Sequence, residues 1–285
     1  MDSRLHIACL QTRPMPDFAS AWDEAFPLAR QAVSDGAKML FLPEYCGGLK
    51  SDGPRLVPPS APVDKHPFLA KARTFAAENG VWIMVGSVAI DAPDGKILNR
   101  GFMIDDQGQI TGQYDKINMF DIQLSGTEIF RESDTVLAGK SAVIHETPWA
   151  NIGHAICYDL RFPILYRELA QAGAQILTCP AAFTKKTGEA HWHVLNRARA
   201  IENTSFLVSP CAIGAVPGGG ECFGHSLIID PWGEILADGG DKPGVISAKI
   251  DLARVQEVRS KIPSLTHDRD FTLTELNDLT ERKIA

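Results

Sequence analysis

The chain, 285 residues long, reads as one mixed α/β domain with two roughly similar halves. Short apolar runs of strand length alternate with helix-length segments in the order β-α-β-α-β from Leu5 to Val88. A second series of strands and helices follows between Ala142 and Ile250. No stretch between them has linker composition, which keeps both halves in one domain.

Leu5 to Gln11 reads as a buried first strand and Ala19 to Ser34 as an amphipathic helix running to the turn Asp35-Gly36. Met39 to Leu42 is a short apolar strand stopped by Pro43. A loop rich in Gly and Pro, Cys46 to Pro62, leads to a helix over Pro67 to Glu78 and a strand over Val81 to Val88. Ile97 to Ile104 and Gln109 to Tyr114, joined by Asp105-Asp106-Gln107-Gly108, form a hairpin. Asp115 to Gly139 is a long irregular stretch, which in a compact domain is usually functional. Ala142 to His145 and Asn151 to Ile156 are strands again. Pro163 suits a first helical turn, where its missing N–H costs nothing, and Gly173 ends that helix. Ile176 to Cys179 is a strand, Pro180 to Gly188 a loop, and Glu189 to Glu202 a helix with Ala190, Val194, Ala198 and Ile201 on one face. Phe206 to Pro210, Gly224 to Ile229, Glu234 to Leu236 and Val245 to Ile250 complete the strands, and Asp251 caps a short helix to about Lys261. Residues 263–285 are polar and read as an exposed tail or an arm on a partner subunit, leaving residues 1–262 as the domain.

A formal charge of -7, with no basic run longer than Lys185-Lys186, argues against a nucleic-acid surface and for small molecules or proteins as partners. Neither a signal-peptide pattern nor an apolar run of about 18 residues is present, so the expected location is cytoplasmic, off the membrane. The six cysteines contain no Cys-x-x-Cys pair and no Cys/His spacing typical of zinc, and are expected as thiols. Cys9 and Cys179 sit in apolar strands and read as buried filler.

Cys157 differs, because it stands where an apolar strand turns towards a helix. Such a corner exposes a nucleophile, and the N–H groups of a following helix favour a thiolate. His154 is the nearest candidate base, but strand alternation puts it on the opposite face. His191 and His193 do not share a helix face and make a poor metal pair. Two other ionisable residues share the strand-end placement: Glu44 after Met39 to Leu42, and Lys116 after Gln109 to Tyr114. Strand ends on one edge of a sheet converge on one crevice.

Phe41-Leu42-Pro43-Glu44, Tyr114-Asp115-Lys116-Ile117-Asn118-Met119-Phe120 and Cys157-Tyr158-Asp159-Leu160-Arg161-Phe162-Pro163 resemble, in order and spacing, the Glu, Lys and Cys motifs of the nitrilase (carbon–nitrogen hydrolase) superfamily. Phe130-Arg131-Glu132-Ser133, Thr187-Gly188-Glu189-Ala190-His191-Trp192, Arg197 to Asn203, Gly224-His225-Ser226 and Asp230-Pro231-Trp232-Gly233 extend the resemblance over nearly the whole chain. These later segments are most similar to the branch containing deaminated glutathione amidase and ω-amidase, and more so to the former.

The resemblance implies an α/β fold of the four-layer α-β-β-α sandwich type, dimerising into an α-β-β-α-α-β-β-α homodimer, with no metal or organic cofactor. It implies Glu44 as general base, Lys116 as the oxyanion-stabilising ammonium, Cys157 as nucleophile and Glu132 as the glutamate that positions substrate and Lys116. Attack of the thiol on an amide, with Lys116 and the Tyr158 N–H on the oxyanion, then gives a thioester and releases ammonia and a carboxylate. Asn118 and Ile164 depart from the family pattern, where histidine and glutamate are common. Deaminated glutathione is the expected substrate and 2-oxoglutaramate or 2-oxosuccinamate, the ω-amidase substrates, the alternative. Both classes carry carboxylates, for which Arg161, Lys185 and Lys186 are candidate anchors and Phe183 a candidate wall. Gly139-Lys140-Ser141 lacks the earlier glycine of a P-loop, and Gly218-Gly219-Gly220 opens no helix, so neither binds a nucleotide phosphate. A catalytically idle scaffold of the same fold is the remaining alternative, against which the four ionisable positions argue.

Overall fold

The structure is a computed structural model, and it describes residues 3–53, 55–126 and 129–272. Two mixed sheets face each other. The first has eight strands: Val136–Leu137, Ile97–Ile104, Trp82–Asp91, Met39–Phe41, Arg4–Gln11 and Gly244–Asp251 in order, with Ser60–Ala61 also on Trp82–Asp91 and Ile110–Asp115 on Ile97–Ile104. The second has six: Val143–Glu146, Asn151–His154, Ile176–Thr178, Phe206–Ser209, Leu227–Ile229 and Ile235–Asp238. Each is built on three parallel central strands. The halves read in the sequence are these two sheets, with one exchange: the late strand Gly244–Asp251 returns to pair antiparallel with Arg4–Gln11.

Period-two alternation assigns the faces. Ile7, Cys9, Met39, Phe41 and Met84 of the first sheet pack on Ile152, Ile176, Phe206, Val208 and Ile228 of the second, forming the core between sheets. Their neighbours Ala8, Leu10, Leu40, Ile83 and Val85 point the other way, against helices α1 (Phe18–Ser34) and α2 (Pro67–Asn79). On the far side Leu177, Leu207, Leu227 and Ile229 meet α3 (Pro163–Gln171) and α4 (Lys185–Asn203). Strands apolar on both faces thus give the α-β-β-α sandwich. Asp17 caps α1 by accepting from the Ala19 and Ser20 N–H groups at 3.0 and 2.9 Å. At α5 (Ala253–Lys261) the capping position is Leu252 rather than the expected Asp251, whose carboxylate one place earlier accepts from Ala253 N–H at 3.0 Å.

Three sequence expectations change. The stretch 115–139, expected irregular, holds the paired strands Asp121–Gln123 and Ile129–Arg131, then a 3-10 turn over Glu132–Asp134. Helix α4 starts at Lys185, ahead of the expected Glu189, because Gly188 is helical: it leaves room for Phe223, whose Cγ would stand 2.3 Å from an added Cβ. The apolar stripe of α4 faces outward, with Val194 69% and Ile201 47% exposed. Its inward face is partly polar, with Asn196 accepting from Ser209 Oγ at 2.6 Å and Arg199 donating to the Leu160 carbonyl at 2.7 Å. Of the expected tail, the turn Ser264–Thr266 and Asp268 lie on α3 of the same chain, where Asp268 pairs with Arg167 and Gln171. The rest of that segment, residues 273–285, lies outside the described residues.

His154 bridges the sheets. Its Nε2–H donates to the Gly86 carbonyl of the opposite sheet at 3.4 Å, so its Nδ1 accepts from His145 Nε2–H at 2.9 Å, and Tyr114 stacks on the ring at 5.0 Å. Gly101 makes this approach possible, since a Cβ there would come within 2.3 Å of the ring. Burial holds His145 down to about 4, and burial with the His145 neighbour holds His154 well below the usual imidazole range. Both rings are neutral in the fold and bind protons near pH 6.5 once unfolded, so stability is full above about pH 6.5 and falls as the pH drops towards the folded values. Urea denaturation should show about 2 kcal/mol lost between pH 7 and pH 5 for His145 alone, with His154 adding to it. A flat profile over that interval would mean that a ring is charged in the fold.

Candidate active site

Glu44 follows the Met39–Phe41 strand, Lys116 follows Ile110–Asp115, and Cys157 opens a 3-10 turn just beyond Asn151–His154. The first two belong to one sheet and Cys157 to the other. The expected single sheet edge is therefore a junction of two sheets. Tyr45 and Cys157 adopt left-handed backbone, φ 52 and 49, at which a residue with a Cβ is strained by about 1 kcal/mol or more. The strain sits where each strand must turn sharply into the junction.

Lys116 is the hub, with only 2% of its surface exposed. Its Nζ donates to Glu44 Oε1 at 3.0 Å and to both oxygens of Glu132, at 3.0 and 2.8 Å. Burial works against the ammonium, but Glu132 and then Glu44 outweigh it and hold Lys116 well above the ordinary lysine range. The carboxylates are fixed in turn. Asn99 Nδ2–H donates to Glu44 at 2.8 Å and to Glu132 at 3.3 Å, the Phe120 N–H reaches Glu132 at 2.6 Å, and the Ala182 N–H reaches Glu44 Oε2 at 2.8 Å.

Cys157 departs from expectation. Burial first, and then the Glu44 carboxylate, raise its thiol well above the ordinary range, with Lys116 opposing. The 3-10 turn Cys157–Arg161 separates it from the first turn of α3, and its own N–H is spent on the Pro180 carbonyl at 2.9 Å. The resting group is a neutral thiol beside the Glu44 carboxylate, not the thiolate that a strand-to-helix corner suggests. His154 plays no part in it, being taken up by His145 and Gly86.

Asp159, fully buried, latches the nucleophile turn to the lysine strand. One oxygen accepts from Tyr114 OH at 2.7 Å and Ile156 N–H at 2.9 Å, the other from Asn118 N–H at 2.9 Å and Asn118 Nδ2–H at 2.7 Å. Asn118 thus completes the latch with a neutral amide. Ile164, the other departure, is 64% exposed on α3.

Glu44, Lys116, Glu132 and Cys157 line a cavity of about 780 Å³. Tyr158, Phe183, Lys185 and Lys186 line it as well. Phe183 rests on Trp192, ring centroids 4.9 Å apart, and Tyr158 meets Phe120 edge-on at 5.3 Å. Arg161 is not among the lining side chains: its guanidinium lies over the Tyr158 and Phe183 rings and 3.2 Å from His191 Nδ1. Two arginines unmarked in the sequence reading, Arg55 and Arg131, are on the wall instead. Asn99, Asp159 and Tyr45 were missed too. Tyr45 lines the cavity with its hydroxyl buried and without a hydrogen-bond partner. Its place directly after Glu44 was the only sequence signal for it.

The carbon–nitrogen hydrolase family matches residues 6–260. The chain is 39% identical over 265 residues to deaminated glutathione amidase of a Synechocystis species, covering 91% of this chain and 96% of that protein. It is 34% identical over 268 residues to the human deaminated glutathione amidase, covering 92% and 82%. Among solved structures it resembles the C. elegans NitFhit protein, with TM-score 0.85 and 30% identity over 93% of this chain and 65% of that longer one. The fold also matches Saccharomyces cerevisiae Nit3, with TM-score 0.82 and 24% identity over 94% and 97%.

Asp159→Asn tests the latch. An amide NH₂ would replace one of two oxygens that each face two donors, leaving donors opposed in a buried site. Denaturant melts should show a loss of about 2 to 4 kcal/mol.

Proposed function

The chain belongs to the carbon–nitrogen hydrolase family, and from that premise we propose that it is a cysteine amidase acting on deaminated glutathione through a thioester on Cys157. The observation that carries the mechanism is that Cys157 and Glu44 line one cavity with the Lys116 ammonium, which two carboxylates hold. Glu44 takes the thiol proton as Sγ attacks the amide carbonyl. Lys116 and the Tyr158 N–H, which lies ahead of the hydrogen-bond ladder of its 3-10 turn, stabilise the oxyanion. Glu44 returns the proton to the departing nitrogen, then activates a water that splits the thioester and leaves a carboxylate. Glu132 and Asn99 hold Lys116 and Glu44 in place throughout.

Deaminated glutathione changes one detail of the expected reaction. Its amide nitrogen belongs to a cysteinylglycine unit, so the leaving group is that dipeptide's amine. Ammonia would leave only from a primary ω-amide. The support for the larger substrate is the name shared by the amidase relatives, together with a cavity of about 780 Å³ in which Arg55, Arg131, Lys185 and Lys186 offer cations to two distant carboxylates. Tyr45 OH, unpartnered and among the catalytic groups, is placed to donate to the bound amide.

We take residues 1–262 as the hydrolase unit, working as a homodimer in the cytoplasm. The outward Val194 and Ile201 of α4, next to the exposed Trp232, support a face for a second copy. Six unpaired cysteines support a reducing compartment. Among the described residues no helix is long and apolar enough to cross a membrane.

Purified protein should release cysteinylglycine from deaminated glutathione with kcat/KM at least about tenfold above that for ammonia release from 2-oxoglutaramate, or roughly 1.4 kcal/mol of transition-state binding. The reverse order makes it an ω-amidase, and no turnover of either makes it a scaffold. Cys157→Ala should abolish turnover, and Glu44→Gln should lower kcat by about 10²-fold or more. Loss of charge at Arg55 and Arg131 should raise KM and spare kcat, which steady-state kinetics resolves.

A further inference from the structure

His193, His225 and Asp238 reach one point on the surface from three elements: α4, the turn ahead of Leu227–Ile229, and the end of Ile235–Asp238. His193 Nε2 lies 2.9 Å from one Asp238 oxygen, and His225 Nδ1 lies 2.9 Å from the other. One donor atom from each residue can be chosen so that all three lie within 4.8 Å of one another. We propose that these three side chains bind a divalent transition-metal ion of the zinc class, one per chain, at a site separate from the catalytic cavity.

The donor set selects the ion. Two imidazoles and one carboxylate suit zinc, nickel, copper or iron, whereas magnesium and calcium prefer oxygen alone. Ligand atoms of a tetrahedral ion with bonds of about 2.0–2.1 Å stand roughly 3.3 Å apart. The two 2.9 Å contacts are to different oxygens of Asp238, so an ion held by one of them needs its own contact to open slightly and the widest pair, within 4.8 Å, to close towards that spacing. With side chains about one-third exposed, 34%, 28% and 34%, the site is open to a further ligand such as water.

The scaffold around the three groups is fixed before any ion arrives. Asp238 Oδ1 accepts from the Gly240 N–H at 2.9 Å. His225 is clamped on both sides of its backbone, its N–H donating to the Gly240 carbonyl at 2.9 Å and its carbonyl accepting from the Trp192 indole at 2.7 Å. It holds left-handed backbone, φ 51, a conformation unfavourable to a residue with a Cβ. Phe223 stacks on the His225 ring at 4.6 Å, and His193 meets that ring edge-on at 5.0 Å. Second contacts of this kind orient ligands in metal sites.

The position suggests a purpose. Residues 221 and 222 line the cavity on one side, and Lys185, Lys186 and Thr187 of α4 on another. Lys185 pairs with Glu221 across them at 2.9 Å. An ion held by His193 and His225 ties α4 to the chain just beyond residues 221–223, so it acts as a staple on the substrate wall. No ligand touches Cys157, Glu44 or Lys116.

The test uses full-length protein stripped with chelator and titrated with zinc alone by calorimetry, and with cobalt(II) followed by absorption. Expected is one equivalent of zinc per chain, a raised melting temperature, and a cobalt spectrum without thiolate charge transfer. His193→Ala, His225→Ala and Asp238→Asn should each weaken zinc binding by at least about tenfold and remove the melting shift. Should one variant fold poorly without metal, the other two carry the comparison. Unchanged binding in the variants, a thiolate band in the cobalt protein, or no saturable binding at all would each overturn the site.

Discussion

The buried Lys116 ammonium is the group on which the rest of the site depends. Taking an ammonium out of water costs several kcal/mol unless it is paired and hydrogen-bonded, and Lys116 has two carboxylates for that purpose. Two negative charges around one positive leave the cluster with a net negative charge. That surplus, acting with burial, is what keeps Cys157 protonated. The arrangement is therefore not a thiolate stabilised by a cation, as in a cysteine–histidine pair, but a thiol beside a carboxylate, which in the proposed mechanism is the base while the cation is reserved for charge that appears during the reaction. A lysine already fixed by three hydrogen bonds needs no reorganisation when an oxyanion forms near it.

Holding that cluster requires two sheets to meet accurately. Glu44, Lys116 and Asn99 ride on one sheet and Cys157 on the other, so a small shift between sheets would separate the Glu44 carboxylate from the Cys157 thiol. Two polar bridges oppose such a shift. Asp159 gathers four donors from the nucleophile turn and the lysine strand, and His154 crosses to the Gly86 carbonyl through a gap left open by Gly101. Tyr114 belongs to both, donating to Asp159 and stacking on His154. Polar groups this deep add little net stability compared with apolar packing, but their directionality fixes register where the apolar core between the sheets, rich in Ile and Met, is permissive.

Strand positions and the parallel order of each half were legible because apolar runs and turn residues are local signals. Even so, the return of Gly244–Asp251 to the first sheet was not, since pairing with Arg4–Gln11 is decided by tertiary contact. Helix α4 shows the same limit: its apolar stripe does not say which way it faces, and Asn196 and Arg199 go inward because Ser209 and the Leu160 carbonyl await them. At the site, Glu44, Lys116 and Cys157 could be placed at strand ends, but their assembly came only through family resemblance. Asn99 carries no such mark, and Asp159 only its place inside the Cys157 motif; each is a mid-strand or mid-turn residue whose role is visible only once its partners converge. The thiolate expectation failed for a related reason, because a helix-terminus argument omits the burial and the Glu44 charge that dominate at Cys157.

The charge of the cluster also constrains what can bind. A substrate bearing carboxylates meets a site whose catalytic groups sum to a negative charge, on a chain with formal charge -7. Attraction must come from the wall. Arg55 and Arg131 approach from the first half of the sequence, and Lys185 and Lys186 from the start of α4. Lys185 is already matched with the exposed Glu221, a solvated pair that adds little to stability and leaves the lysine able to turn towards a stronger anion. Arg161, by contrast, is spread over two aromatic rings and shapes the wall through Tyr158 and Phe183 rather than by presenting its charge. In the proposed function, recognition of the ends of the substrate is thereby separated from the chemistry at its amide, and the same cluster of Glu44, Lys116 and Cys157 can serve different amides as the cations around the cavity change.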